Sequence, residues 1–139
     1  MATSKNQIKD VLTLITKLQN FCEGFDDSNK AVVYTSKIKI LLELSKQACM
    51  SPSVLVVKLG MAKTNLAMLG KDLIKDGLIQ KTKDSVDTRG VFYSLTSKGK
   101  DYLNNFLVVA QKNFDKSIAY TNKEQKINKS ISDLLDMVK

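Results

Sequence analysis

Residues 51–79 read SPSVLVVKLGMAKTNLAMLGKDLIKDGLI and predict two short helices joined by a tight turn. Ser51 supplies a hydroxyl cap, and Pro52 has the fixed φ that suits the first helical position, so the first helix is expected at Pro52–Leu59. Gly60 ends it, because glycine tolerates the left-handed backbone of a helix terminus. We expect this helix to pack through Val54, Leu55 and Val57.

The second helix is predicted from Lys63 to Asp76 and ends before Gly77. At about 100° per residue its apolar side falls on one face of the helix. That face consists of Leu66, Leu69, Gly70 and Leu73. The opposite face is polar and basic with one apolar member, and it consists of Thr64, Met68, Lys71 and Lys75. An anionic partner can lie along such a face.

Two strand-like runs follow, Leu78–Lys83 and Arg89–Leu95, on either side of the polar residues 84–88. Thr96 is placed to cap the helix that comes next. Two short helices joined at a glycine and followed by a hairpin make a winged helix-turn-helix, whose second helix enters the major groove of DNA.

Long apolar stripes lie on both sides of this region. The first helix begins near Ser4 and carries Ile8, Val11, Leu12, Ile15, Leu18, Phe21, Cys22 and Phe25 at helical spacing. We predict one mainly α domain over residues 1–139, with about six helices and a two-stranded β-hairpin wing. Residues 30–100 form its DNA-binding lobe. The helices at 4–25 and 97–139 are expected to form a homodimer, because their apolar faces need a large partner surface.

The charge supports an anionic partner. The chain of 139 residues has 22 Lys and Arg against 14 Asp and Glu, and Arg89 is its single arginine. From Lys58 to Lys100, nine basic and four acidic side chains leave a net charge of +5 of the total +8. Such a basic surface binds double-stranded DNA favourably, because binding releases counterions from the DNA. The alternative is a solvated, lysine-rich face with no partner.

Several classes of protein are excluded. The chain has no histidine, so imidazole cannot serve as a general base or a zinc ligand, and its two cysteines are too few for a disulfide framework. No nucleophile and base pair or phosphate-binding loop is recognisable, so we expect no enzyme, metal or cofactor. Without a signal-like start or an apolar run of about 20 residues, we expect a cytoplasmic protein with no membrane partner.

The segment from Leu59 to Leu66, with Asp76–Gly77–Leu78–Ile79, resembles the recognition-helix region of the multiple antibiotic resistance regulator (MarR) family. The residues Asp87–Thr88–Arg89–Gly90 and Tyr93 to Gly99 are similar to that family's wing. The resemblance implies a homodimeric transcription regulator, most simply a repressor, that presents two winged-helix lobes to an inverted-repeat operator. It also implies that a small-molecule effector or oxidation at the dimer interface tunes DNA affinity.

The resemblance also implies roles for individual residues. Arg89 corresponds to the wing arginine that reaches the minor groove, and Asp87 to the acid that orients it. Guanidinium enters a narrow A/T groove more readily than ammonium, because it is less strongly hydrated. The alternative for Arg89 is a surface ion pair with Asp87 and nothing more. The residues expected to face bases are Thr64, Asn65 and Met68, and those expected to contact phosphates are Lys63, Lys71, Lys75, Lys81 and Lys83.

For base reading, Asn65 can pair with adenine, and Thr64 or Met68 can pack on a thymine methyl group. The alternative for Met68 is a filler with no DNA contact. Ala62, Lys63 and Met68 depart from the residues that the family usually has there, which bears on the DNA sequence read. Ala62 and Met68 are also compatible with a second function. In this alternative, the chain is a winged-helix module that binds a protein and has lost specific DNA binding.

Cys22 is the candidate redox residue, because some members of the family sense peroxide through a cysteine near the first helix. Tyr34 or Tyr120 could lower its pKa by hydrogen bonding. We favour a buried, inert thiol, because Phe21 and Phe25 flank the cysteine and no arginine or histidine is near it in sequence.

Overall fold

The computed structural model describes residues 4–83 and 90–139, and side chains from residue 7 onward within those ranges. The elements in chain order are α1 (Ser4–Phe21), β1 (Gly24–Phe25), β2 (Ala31–Val32), α2 (Ser36–Leu44), α3 (Pro52–Leu59), α4 (Lys63–Lys75), β3 (Ile79–Lys83), β4 (Val91–Leu95), α5 (Ser97–Thr121) and α6 (Glu124–Val138). The predicted six helices and two-stranded hairpin are confirmed. The pair of two-residue strands β1 and β2 was not predicted.

The chain divides into two compact units. The central unit comprises residues 32–107, and the terminal unit comprises residues 1–31 and 108–139. The boundary falls inside α5, between Leu107 and Val108. The two units are described separately below.

The central unit has an apolar core contributed by all of its helices and by the β3–β4 hairpin. Its most completely buried large side chains are Ile40, Leu41, Leu44, Leu55, Leu66, Leu73 and Ile79. The prediction that α3 packs through three residues is wrong, because Val54 and Val57 are exposed, Val57 to 81%. Leu55 lies about 100° and 160° around the helix from these two valines, so a short helix that buries Leu55 leaves them outside.

The ends of α3 and α4 follow the local sequence. The Ser51 hydroxyl accepts a hydrogen bond from Val54 N at 3.3 Å, and Pro52 takes the first turn of α3. Gly60, at φ 60°, and Gly77, at φ 76°, adopt the left-handed conformation expected at the two helix ends. Ala62 precedes α4 and makes no side-chain cap, so no side chain of the N-cap residue accepts a hydrogen bond from the first N–H groups of that helix.

The hairpin is antiparallel, with Ile79 opposite Leu95 and Lys83 opposite Val91. Strand β3 begins one residue later than predicted. Two backbone hydrogen bonds of 2.9 Å join Tyr93 on β4 to Met50, two residues before α3. The wing strands are therefore fixed to the helix-turn-helix by main-chain contacts.

Hydrogen bonds join the residue after β4 to the turn after α4. The Thr96 hydroxyl donates to the Gly77 carbonyl oxygen at 2.6 Å and accepts from Gly99 N at 3.0 Å, as the predicted cap of α5. A Cβ on Gly99 would overlap the carbonyl oxygen of Leu78. Glycine is thus required where α5 crosses the turn.

The terminal unit joins α1 to the later part of α5. The Phe21 and Phe114 rings meet edge to face with centroids 6.4 Å apart. The Asn113 amide donates to the carbonyl oxygens of Phe21 at 2.9 Å and Glu23 at 3.0 Å. These contacts hold the end of α1 against α5.

The predicted extension of the first helix to Phe25 is wrong, since α1 ends at Phe21 and Phe25 lies in β1. The reason is the turn that follows. The Asp26 carboxylate accepts hydrogen bonds from Ser28 N at 3.0 Å and Lys30 N at 2.9 Å. Such a turn competes with continuation of the helix.

In the part of the chain that the structure describes, no single helix is long and apolar enough to cross a membrane. The helices α3 and α4 together reach the required length and composition, but they are bent by 115° at their junction.

Candidate nucleic-acid interface

Helix α4, the predicted recognition helix, has the two faces that its sequence predicts. Leu66, Gly70 and Leu73 are buried. On the other side, Thr64, Met68, Lys71 and Lys75 are all exposed, Met68 to 58%. The exposed face is polar and basic around one apolar side chain. It can meet a phosphate backbone at its lysines and a thymine methyl group at Met68.

Asn65 is exposed and lies to one side of this face, about 100° around the helix from Thr64. A side chain there reaches a base edge when the helix enters the groove at an angle. Base contact by Thr64, Asn65 and Met68 stays a prediction.

Lys63 and Lys81 both line a cleft between α4 and the hairpin. The cleft has a volume of about 540 Å³. Its lining also includes Ser51 and Ser53 near the start of α3, and Phe92 on β4. Two lysines in the lining of one cleft add positive charge to the region between α4 and the hairpin.

Lys83 is exposed at the end of β3, opposite Val91 in the hairpin. The predicted wing residues Asp87 and Arg89 lie outside the described residues, between Lys83 and Val91 in sequence. Their roles stay predictions.

The sequence reasoning missed one feature of this surface. Lys37 Nζ, in α2, lies 3.8 Å from Asp72 Oδ2, on α4. The two residues are far apart in sequence and belong to different periodic patterns. No local signal could have paired them.

Cys22 lies just after α1 and is partly exposed. Burial, and next the negative charge of Glu23, raises the pKa of its thiol. A raised pKa disfavours the reactive thiolate, which supports the inert alternative. Tyr120, one of the two residues considered as its partner, is 92% exposed. Among the side chains that the structure describes, no group of three or more His, Cys, Asp or Glu residues could hold a metal ion.

Comparison with known proteins shows which proteins have a similar sequence or fold. No model of a protein family matches the chain. The HTH-type transcriptional regulator PapX of Escherichia coli is 33% identical over 102 residues, which are 73% of this chain and 62% of PapX. The chain thus spans less than two thirds of that relative.

Wild-type MarR of Escherichia coli, in its apo form, matches with a TM-score of 0.75 at 16% identity, over 97% of this chain and 98% of MarR. The chain has a winged-helix fold like that of MarR. A mutant MarR from the same bacterium, in complex with operator DNA, matches this chain with a TM-score of 0.68 at 18% identity, over 96% of this chain and 99% of the mutant MarR chain. The mainly α winged helix-turn-helix predicted from the sequence is confirmed.

Proposed function

We propose that this MarR-like protein is a DNA-binding transcription regulator that represses by occupying an inverted-repeat operator as a homodimer. The observation that carries the proposal is the exposed face of α4, where Lys71 and Lys75 continue the line of Thr64 and Met68. Its neighbour in the fold is a two-stranded wing. Such a helix and wing suit the major groove and the adjacent minor groove.

The chemistry of each side chain indicates which part of the DNA it contacts. Five lysines contact phosphates and set the affinity for DNA and its salt dependence, and they are Lys63, Lys71, Lys75, Lys81 and Lys83. A contact between an ammonium and a phosphate carries no sequence information. Asn65 reads adenine, and Thr64 or Met68 packs on thymine. Arg89 enters the minor groove and Asp87 orients it.

The relatives support this assignment. PapX is named as a transcriptional regulator, and the MarR complex contains operator DNA. The proposal carries the same kind of partner over to this chain, where the exposed lysines of α4 supply the charge to receive it.

The homodimer is proposed from the terminal unit. Apolar residues on α1 and α6 are left with large exposed fractions, among them Ile8, Leu12, Leu134 and Leu135. A surface of this kind is typical of an interface that a second copy covers. We place a small-molecule effector at that interface.

A titration tests the proposal. The intergenic DNA beside the protein's own gene, fluorescently labelled, is titrated by anisotropy at two salt concentrations. We expect affinity to fall steeply with salt, with a slope of about −0.9 per phosphate contact in log units. Binding that does not change with salt, or no binding at micromolar protein, contradicts the proposal.

A second candidate is a winged-helix module that binds a protein rather than DNA. The uncapped start of α4 at Ala62 and the exposed Met68 at the centre of its outer face favour it. The two candidates differ in their response to Lys71→Gln. This change removes a phosphate contact and so weakens DNA binding, whereas it leaves an apolar protein contact through Met68 in place.

A further inference from the structure

A solvent-exposed ion pair links α2 to the outer side of α4. Lys37 Nζ lies 3.8 Å from Asp72 Oδ2, and the two side chains are 36% and 54% exposed. Solvent screens such a pair, so it adds little to folding stability. A change at Lys37 should therefore leave the fold intact and report on what the ammonium does at the surface.

Asp72 is the only carboxylate within α4, whose charged residues are otherwise lysines. At about 100° per residue, it lies about 20° from Asn65, 40° from Met68 and 60° from Lys75 around the helix. Asp72 thus lies at the edge of the face of α4 that contacts DNA in the proposed function. A lone carboxylate there would repel phosphate oxygens.

Lys37 compensates that charge from a neighbouring helix. Its ammonium is held beside the same edge of α4 and keeps access to solvent. A lysine loses rotamer freedom when it binds a phosphate. A side chain already held by a carboxylate loses less, so Lys37 is prepared for such a contact.

We propose that Lys37 is a further phosphate-contacting residue, supplied by α2 and positioned by Asp72. The inference rests on the proposed function and extends the DNA-binding surface beyond α4 and the wing to the first turn of α2. Its partner is the backbone of duplex DNA, which is the polyanion that the proposed face fits.

The test compares Lys37→Gln with Lys46→Gln. Lys46, two residues after the end of α2, also forms an ion pair, 3.0 Å from Glu43, but its partner is on α2 rather than on α4. Each variant of the full chain is titrated with a fluorescein-labelled duplex of about 30 base pairs, long enough for two half-sites one helical turn apart. We expect Lys37→Gln to weaken binding about threefold to tenfold at low salt and to reduce the salt slope by about one. Lys46→Gln should match the parent.

Asp72→Asn tests the positioning role. In that background, Lys37→Gln should weaken binding by a smaller factor than in the parent, because the ammonium is no longer held. An equal factor in both backgrounds overturns the role of Asp72. If Lys37→Gln binds like Lys46→Gln while the parent binds DNA, the Lys37 contact is wrong and the proposed function stands. A parent that does not bind the duplex overturns both.

Discussion

The central and terminal units use their apolar residues in opposite ways. The central unit encloses leucine and isoleucine side chains from α2, α3, α4 and β3 almost completely. In the terminal unit, α6 buries no residue, and Val109 is the one buried side chain among those that the structure describes there. The central unit therefore has a core of its own, while the terminal unit presents an exposed apolar surface, which a second copy covers in the proposed homodimer.

The largest effect is expected from Gly99→Ala in the central unit. The added Cβ would overlap the Leu78 carbonyl oxygen, and a backbone atom cannot move aside as a flexible side chain can. We expect a loss of about 3 kcal/mol or more in the free energy of unfolding, measured by urea denaturation.

Gly60→Ala is the matched control for that change. Its Cβ would meet nothing within 4 Å, and only the left-handed φ of 60° opposes it. A loss of about 1 kcal/mol is expected. Similar losses for the two variants would show that the close approach at Gly99 is not a constraint on the central unit.

The next effect concerns the terminal unit. Leu134→Glu places a charge on the exposed apolar side of α6, where Leu134 is 48% exposed. We expect the homodimer to dissociate while the secondary structure of the chain is retained, because no core residue is changed. Sedimentation velocity and circular dichroism measure the two properties.

The control is Gln125→Glu, which adds the same charge about 180° around α6 from Leu134. It should leave the dimer unchanged. If Leu134→Glu sediments like the parent, the apolar face of α6 is not a dimer interface, and the contrast between the two units loses its explanation.

A smaller effect is expected on DNA binding from the wing. Arg89→Ala should weaken binding about tenfold or more and leave the dimer intact, because the minor-groove contact is lost while the apolar faces stay. Anisotropy titration and sedimentation check the two parts. Binding by Arg89→Lys as tight as that of the parent would disprove the argument from guanidinium hydration.

The start of α4 offers a gain in stability. Ala62→Ser supplies the cap hydrogen bond that α4 lacks, and it should stabilise the central unit by about 1 kcal/mol. The reverse change on α3, Ser51→Ala, removes an existing cap and should destabilise by a similar amount. Thermal unfolding compares the pair, and a loss of stability in Ala62→Ser would contradict the prediction.

The smallest effect is at Cys22. Because burial and Glu23 raise the pKa of its thiol, alkylation by iodoacetamide should reach half its maximal rate at a higher pH than for free cysteine. Glu23→Gln removes a negative charge and should move that midpoint to lower pH. The Cys49→Ser background isolates the signal. A midpoint below that of free cysteine would restore Cys22 as a candidate sensor.

Much of the central unit could be predicted from sequence because its signals are local. Ser51, Gly60 and Gly77 begin or end helices through contacts within a few residues, and each behaves as expected. The faces of α4 follow from helical periodicity alone. The site residues on that helix could therefore be placed on its surface, although their contacts with DNA could not.

The predictions from sequence were wrong where contacts with neighbouring residues determine which side chain is buried or where a helix ends. Val57 has the same chemistry as a core residue, yet α3 presents Leu55 to the core and leaves Val57 outside. Phe25 continues the helical spacing of α1, but the Asp26 turn ends the helix earlier.

By itself, the sequence determined the order of the helices and the hairpin, the ends of α3 and the basic face of α4, since these depend on residues close together along the chain. Only the tertiary structure decided which apolar side chains are enclosed, why position 99 must be glycine, and that Lys37 reaches Asp72. Those features depend on distances between elements that are remote in sequence. No local pattern encodes such distances.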